Sequence, residues 1–196
     1  VVVDKHSELE LKFAADHVDP VKFKAWGMAM RPTRFNSACY PDVYYFRGDN
    51  VVRHRLLSGP GELTVKRRKR VDSITDRQEI DLTFAPLVTA ADIAAFLLAA
   101  GWEVAFTLQK HFSYPFWFKH VDAHVVVSLY EVERTDTRET RRFLEIEVDK
   151  DSEVSDIAAR NLLNLWASTA ADEFDLGVPV DLSLYELYSG RRYLGV

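Results

Sequence analysis

The sequence predicts an α+β protein: an antiparallel sheet closed into a barrel, with helices packed on its outside. Three observations carry this expectation. Several segments alternate strictly between polar and apolar residues, as a strand with two unlike faces must. In Ser7-Glu8-Leu9-Glu10-Leu11-Lys12-Phe13, the residues Glu8, Glu10 and Lys12 share one face, and Leu9, Leu11 and Phe13 share the other. The charges are also sorted by segment, acids on some strands and bases on others, whereas the wet face of an open sheet mixes them freely. Finally, two amphipathic helices are available to cover the apolar faces, and closure of the sheet removes exposed edges.

In chain order, Asp19-Pro20 opens a helix over Val21 to Met30, with proline in its first turn. Arg31 to Pro41 reads as loop, and Asp42 to Phe46 as a short aromatic strand. Val51 to Leu56 is a strand with Arg53 and Arg55 on one face. Ser58-Gly59-Pro60-Gly61 signals a turn, and the chain returns through Glu62 to Arg70 with Lys66, Arg68 and Arg70 on one face. Thr75 to Phe84 alternates again, placing Arg77, Glu79 and Asp81 opposite Ile80, Leu82 and Phe84. Thr89 caps a helix from Ala90 to Ala100 that Gly101 ends. Strands follow over Val104 to Phe112 and His124 to Glu133, then a charged loop, Arg134 to Arg142. Phe143 to Asp149 alternates as cleanly as the first strand, with Glu145, Glu147 and Asp149 on one face. A long amphipathic helix, Val154 to Phe174, and a terminal segment around Ser183 to Tyr188 complete the chain.

The 196 residues form one domain, 1–196, without repeats or linkers. A hydrophobic content of 47% supplies a core, and a net charge of −5 argues against a nucleic-acid coat or a membrane-surface protein. The single cysteine, Cys39, excludes an internal disulfide and suits a reducing compartment. No apolar run approaches a membrane span, and Val1-Val2-Val3-Asp4-Lys5 does not read as a signal peptide. A cytoplasmic protein is the expectation.

If the apolar faces pack outward against the helices, the charged faces line the barrel interior. Carboxylates 4 Å apart repel by about 1 kcal/mol in bulk water and about 4 kcal/mol at an effective dielectric near 20. A divalent cation relieves that repulsion. Glu8, Glu10, Glu145 and Glu147 are hard oxygen donors suited to Mg²⁺ or Mn²⁺, and rows of Lys and Arg suit a chain of phosphates. The combination reads as metal plus triphosphate.

These residues also follow a known order. Glu8-Leu9-Glu10-Leu11-Lys12 resembles the Glu-x-Glu-x-Lys signature of the CYTH, or triphosphate tunnel metalloenzyme, superfamily. Arg53-His54-Arg55, Leu63-Thr64-Val65-Lys66 and Arg77-Gln78-Glu79 follow in the family's order. Ala105 to Lys110 resembles its lysine strand, Phe143-Leu144-Glu145-Ile146-Glu147 its second acidic strand, and Ser183-Leu184-Tyr185-Glu186-Leu187 its closing motif. The resemblance spans Glu8 to Tyr188 and implies an eight-stranded antiparallel tunnel that binds triphosphates with divalent metal. It assigns Glu8, Glu10, Glu145 and Glu147 to metal, and Lys12, Arg53, Arg55, Lys66, Arg68, Arg77 and Lys110 to phosphate. Glu8, Glu10 and Lys12 would form the catalytic set.

Two departures from the family pattern stand out. Lys110-His111-Phe112 replaces Lys-x-Arg, so that an aromatic ring stands where a phosphate ligand is expected. The strand before the second acidic one offers Ser128 and Tyr130 in place of an aspartate, with Glu131 and Glu133 on the opposite parity. The leading functional expectation is an adenylate cyclase of the class IV type, in which metal activates the ribose 3′-hydroxyl for attack on the α-phosphate. The alternative is a triphosphatase acting on tripolyphosphate, thiamine triphosphate or a nucleoside triphosphate, and a second alternative is an impaired triphosphate sensor. The expected partner is a nucleoside triphosphate or inorganic triphosphate, with no membrane and no nucleic acid; a homodimer is left open. Lys66 to Arg70 reads as a split strand, because alternation sends its bases to both faces. His120 and His124 are read as structural or surface residues, Trp102, Trp117 and Trp166 as core or helix packing, and Cys39 as structural.

Overall fold

The computed structural model describes residues 1–57, 61–71, 74–85, 87–120, 123–150 and 155–191, excluding the side chains of 5–7, 66–71, 74–78 and 150. Nine strands form one sheet: β1 (Val2–Ala14), β2 (Arg34–Phe35), β3 (Ala38–Arg47), β4 (Asn50–Arg55), β5 (Glu62–Val71), β6 (Ile74–Thr83), β7 (Glu103–Lys119), β8 (Ala123–Arg134) and β9 (Thr140–Lys150). The hydrogen-bonded order is β2-β7-β3-β4-β5-β6-β1-β9-β8, and β7 also pairs with β8. The ladder therefore closes. Eight antiparallel strands make the ring expected from the sequence, and the two-residue β2 sits beside it on the far end of β7, opposite Phe116 and Trp117.

Several boundaries move once long-range pairing is in place. The stretch read as loop from Arg31 to Pro41 contains β2 and the first residues of β3. Strand β7 is twice the expected length, because it must serve β2, β3 and β8 at different heights. The charged loop shrinks to a turn between β8 and β9. The turn expected at Ser58-Gly59-Pro60-Gly61, apart from Gly61, lies outside the described residues, as does Val154 at the expected start of the long helix.

Four helices flank the barrel: α1 (Pro20–Ala29), α2 (Ala90–Ala99), α3 (Asp156–Phe174) and α4 (Leu184–Ser189). Their starts follow the local sequence. The Asp19 carboxylate accepts from Val21 N at 2.8 Å ahead of Pro20, and Thr89 and Asp92 form a reciprocal capping box. Gly101, at φ +81°, turns the chain out of α2. Ser183 and Glu186 form a second capping box, making the terminal segment a short helix.

The apolar strand faces pack outward. Leu9, Leu11 and Phe13 of β1, with Val125 and Val127 of β8 and Ile146 and Val148 of β9, bury against α1 and α3. Each such side chain contributes roughly 1.5–3 kcal/mol on burial, so this layer fixes which parity faces in. A second cluster joins Tyr45, Val52 and Leu63 to Ile93 and Leu97 of α2. A third, made by Tyr44, Phe106, Leu108, Tyr130, Val132 and Phe143, lies on the inward parity and meets Tyr185 and Tyr188 of α4. It is an apolar plug, and it leaves the rest of the interior to polar residues. Among the described residues no helix is long and apolar enough to cross a membrane.

Candidate active site

The inward parity encloses a cavity of about 690 Å³ lined by polar side chains from all eight ring strands. On one wall, Glu10 pairs in register with Glu147, and Lys12 with Glu145. Glu8, Glu10 and Glu147 bring carboxylate oxygens within 4.8 Å of one another. Glu8 and Glu10 are almost fully buried. Three hard oxygen donors at this spacing fit a divalent cation, which offsets a repulsion of several kcal/mol in a low-dielectric site. Glu145 stands apart from these three. The Lys12 ammonium lies 2.8 Å from Glu145 and 3.0 Å from Glu10, so it ties the triad to the next acid along β9.

The opposite wall is basic, with its own acids interleaved. Arg55 donates from Nε and Nη2 to Asp42 at 3.0 and 3.2 Å, and Asp42 is buried. Burial alone would raise the Asp42 carboxyl, but Arg55, Arg53 and Lys110 outweigh it and hold it at about 2. Arg53 donates to Thr64 Oγ1 at 2.7 Å and lies 3.4 Å from Glu62, while Thr64 donates to Asp81 at 2.6 Å. The strict sorting of charge by strand thus gives way to a basic wall buttressed by Asp42, Glu62 and Asp81.

Lys110 differs from both arginines. It is buried, and its ammonium has no carboxylate within ion-pair distance among the described residues. It sits 3.4 Å from Tyr40 Oη, and over the Tyr40 and Tyr130 rings at 5.2 and 4.4 Å. Burial, followed by the nearby Arg55 charge, lowers its pKa. Among the described residues this buried cation is held by two aromatic faces and a phenol, and it is poised to receive an anion.

The Lys110-His111-Phe112 departure resolves differently from the expectation. The β7–β8 register slips between Lys110 and Phe112. This bulge turns Phe112 outward, where it stacks on Tyr114 at 4.9 Å and lies under the Arg142 guanidinium. Ser113 takes the inward position, so no aromatic ring replaces the expected ligand. On β8, Ser128 and Tyr130 do face inward. Glu131 and Glu133 face away, Glu131 paired with Arg142 and Glu133 with His111 and Arg138.

For Lys66, Arg68 and Arg77 the backbone register is described: Lys66 lies opposite Glu79, and Arg68 opposite Arg77, which in turn faces Glu8. Their side chains lie outside the described residues. Two residues read as structural, Trp117 and Cys39, need correction. Trp117 lines the cavity, with Arg34 of β2 stacked 4.5 Å above its ring. Cys39 is an exposed free thiol. His120 accepts from Trp166 Nε1 at 3.2 Å, a packing role that fits the expectation. Asp42, Thr64 and Tyr40 escaped the sequence reading; Asp42 alternating with Tyr40 and Tyr44 was the available signal.

Compared with protein-family models and with curated proteins, the chain matches none. Solved structures do match. A protein of Pyrococcus horikoshii OT3 is 18% identical with a TM-score of 0.66, covering 94% of this chain and 99% of that one. A conserved hypothetical protein from Pyrococcus furiosus is 17% identical with a TM-score of 0.63, covering 92% and 99%. The Mimivirus capping enzyme triphosphatase is 14% identical with a TM-score of 0.54, covering 87% and 90%. At these identities the likeness establishes the fold. That fold is a closed antiparallel ring of eight strands around a polar interior, the architecture expected from the motif order.

Proposed function

We propose that this protein cleaves a phosphoanhydride bond of a triphosphate bound in the tunnel, with divalent metal held by Glu8, Glu10 and Glu147. The observation that carries this reading is the buried Lys110 cation, without a carboxylate partner among the described residues, across one cavity from three converging carboxylates. A bound Mg²⁺ or Mn²⁺ there supplies Lewis-acid polarisation of a phosphoryl oxygen. The chain's own residues do the rest. Lys110, Arg53 and Arg55 neutralise phosphate oxygens and the charge that builds on the leaving group. Lys12 holds Glu10 and Glu145 in place. The buttressing acids Asp42 and Glu62 keep the arginine forks oriented before substrate arrives.

Hydrolysis is the preferred chemistry: water attacks the terminal phosphorus, its P–O bond to the diphosphate breaks, and orthophosphate leaves. Support comes from the Mimivirus relative, described as a capping enzyme triphosphatase. The cyclase favoured by the motifs remains the second reading, because Trp117, Arg34 and Tyr40 give part of the cavity a planar, aromatic character suited to a nucleobase. One assay separates them. ATP and, separately, tripolyphosphate are incubated with the protein in Mg²⁺ and in Mn²⁺, and products are resolved chromatographically. Orthophosphate supports the hydrolase; cyclic AMP with pyrophosphate replaces it with the cyclase. Tight binding without product leaves the sensor. Glu147→Gln is expected to remove metal-dependent turnover while the protein stays folded, since it subtracts a charge from a repulsive cluster. Wild-type rates in that variant would overturn the metal assignment.

A further inference from the structure

The Tyr130 side chain is 1% exposed, yet its hydroxyl has no hydrogen-bond partner among the described residues. A buried phenol left unpaired costs about 1–3 kcal/mol, and most buried tyrosines avoid it. Its position explains why the cost is tolerated. Tyr130 belongs to the apolar plug but also lines the cavity, at the seam between plug and polar chamber. Register places it opposite Ser113 on β7 and Phe143 on β9, one inward step from Ser128 and Glu145. Its ring carries the Lys110 ammonium at 4.4 Å. The phenol therefore sits between the basic wall and the acid cluster, where a bound phosphate chain has to pass.

We propose that Tyr130 is a binding residue of the tunnel, donating its hydroxyl hydrogen to an oxygen of the bound triphosphate beside Lys110. The proposal rests on the triphosphate reading above and refines it. A phenol supplies a neutral donor on a wall where an acid would repel the ligand. It also needs no reorganisation, because the ring is fixed by Phe143 at 5.8 Å and by the plug around it. Ser113 and Ser128, both buried and inward-facing, extend the same hydroxyl-bearing strip along β7 and β8.

Tyr130→Phe tests this directly, since it removes one oxygen and keeps the ring that packs the plug and supports Lys110. Tripolyphosphate binding is measured by calorimetry with Ca²⁺ in place of Mg²⁺, and the melting temperature of the ligand-free protein is measured alongside. The expected result is a loss of about 10- to 100-fold in affinity, the scale of a hydrogen bond to a charged group, with an unchanged or higher melting temperature. Unchanged affinity, with the wild type binding, overturns the role of Tyr130 alone. Absence of binding by the wild type, to tripolyphosphate and to ATP titrated in the same way, overturns the triphosphate reading and this inference together. An affinity loss accompanied by a lowered melting temperature also counts against it, because the hydroxyl would then be structural.

Discussion

Lys110 and Asp42 show how differently two buried charges can be settled in one cavity. Asp42 is satisfied inside the protein: Arg55 grips it with two hydrogen bonds, and the surrounding cations depress its pKa to about 2 despite burial. A depressed folded-state pKa means stability that is present above the ordinary carboxyl range near pH 4 and lost as the pH falls through about 2. Replacing Asp42 with Asn should cost about 1.5–3 kcal/mol at pH 7, because the half-buried Arg55 loses the carboxylate that grips it and keeps only Glu62 at 4.0 Å. That penalty should shrink as denaturation is repeated from pH 4 towards pH 2; a pH-independent penalty would argue against the ion pair. On the proposed function, Lys110 is settled by the ligand instead. Lys110→Ala should weaken triphosphate binding by about 1.5–3 kcal/mol while leaving the ligand-free protein at least as stable, measured by calorimetry and thermal melts. On that reading a buried ammonium without a carboxylate partner among the described residues is a burden in the empty cavity and an anchor in the filled one.

At the scale of elements, the β7 bulge and the contact of α1 with β7 decide what the interior holds. One extra residue at His111 moves Phe112 outside and Ser113 inside. Simple alternation from Lys110 put Phe112 on the inward face, and only the pairing with β8 reveals the slip. On the outer side, Gly27 of α1 lets the helix lie against Phe116 of β7. A Cβ at Gly27 would come within 2.4 Å of that fully buried ring. Gly27→Ala gains up to about 1 kcal/mol in helix propensity but overpacks a ring that Phe23 and Phe35 also hold, at about 1–3 kcal/mol. Net destabilisation of up to about 3 kcal/mol is expected in urea unfolding, and a more stable variant would mean that α1 shifts freely. Strand β2 matters for the same reason. Two residues suffice to bring Arg34 over Trp117 at the cavity edge, and nothing in so short a stretch announces a strand.

For the whole molecule, closure of the ring converts an ordinary amphipathic sheet into a charged chamber. Eight strands place acids from β1 and β9 across from bases on β4 and β7, although these strands are far apart in the chain. The chamber is balanced against repulsion rather than for it, so its ligands should stabilise the fold. Tripolyphosphate and Mg²⁺ together should raise the melting temperature by more than the sum of either alone, since each relieves the charge that the other leaves. Simple additivity in a thermal-shift titration would indicate independent sites.

By itself the sequence determined the alternation, the acidic and basic strands, three of the helices and the N-terminal signals of two of them, and a motif order that implied the tunnel. These are local or periodic signals, set by side-chain spacing along one strand or one helix. The tertiary structure alone decided that Glu8, Glu10 and Glu147 converge while Glu145 turns to Lys12. It likewise decided that Asp42 holds Arg55, that Phe112 leaves the interior, and that Tyr130 lines the chamber. Each of these depends on the register between strands distant in sequence. A shift of one residue in pairing exchanges inside for outside, and no run of residues along a single strand records which partner it will meet.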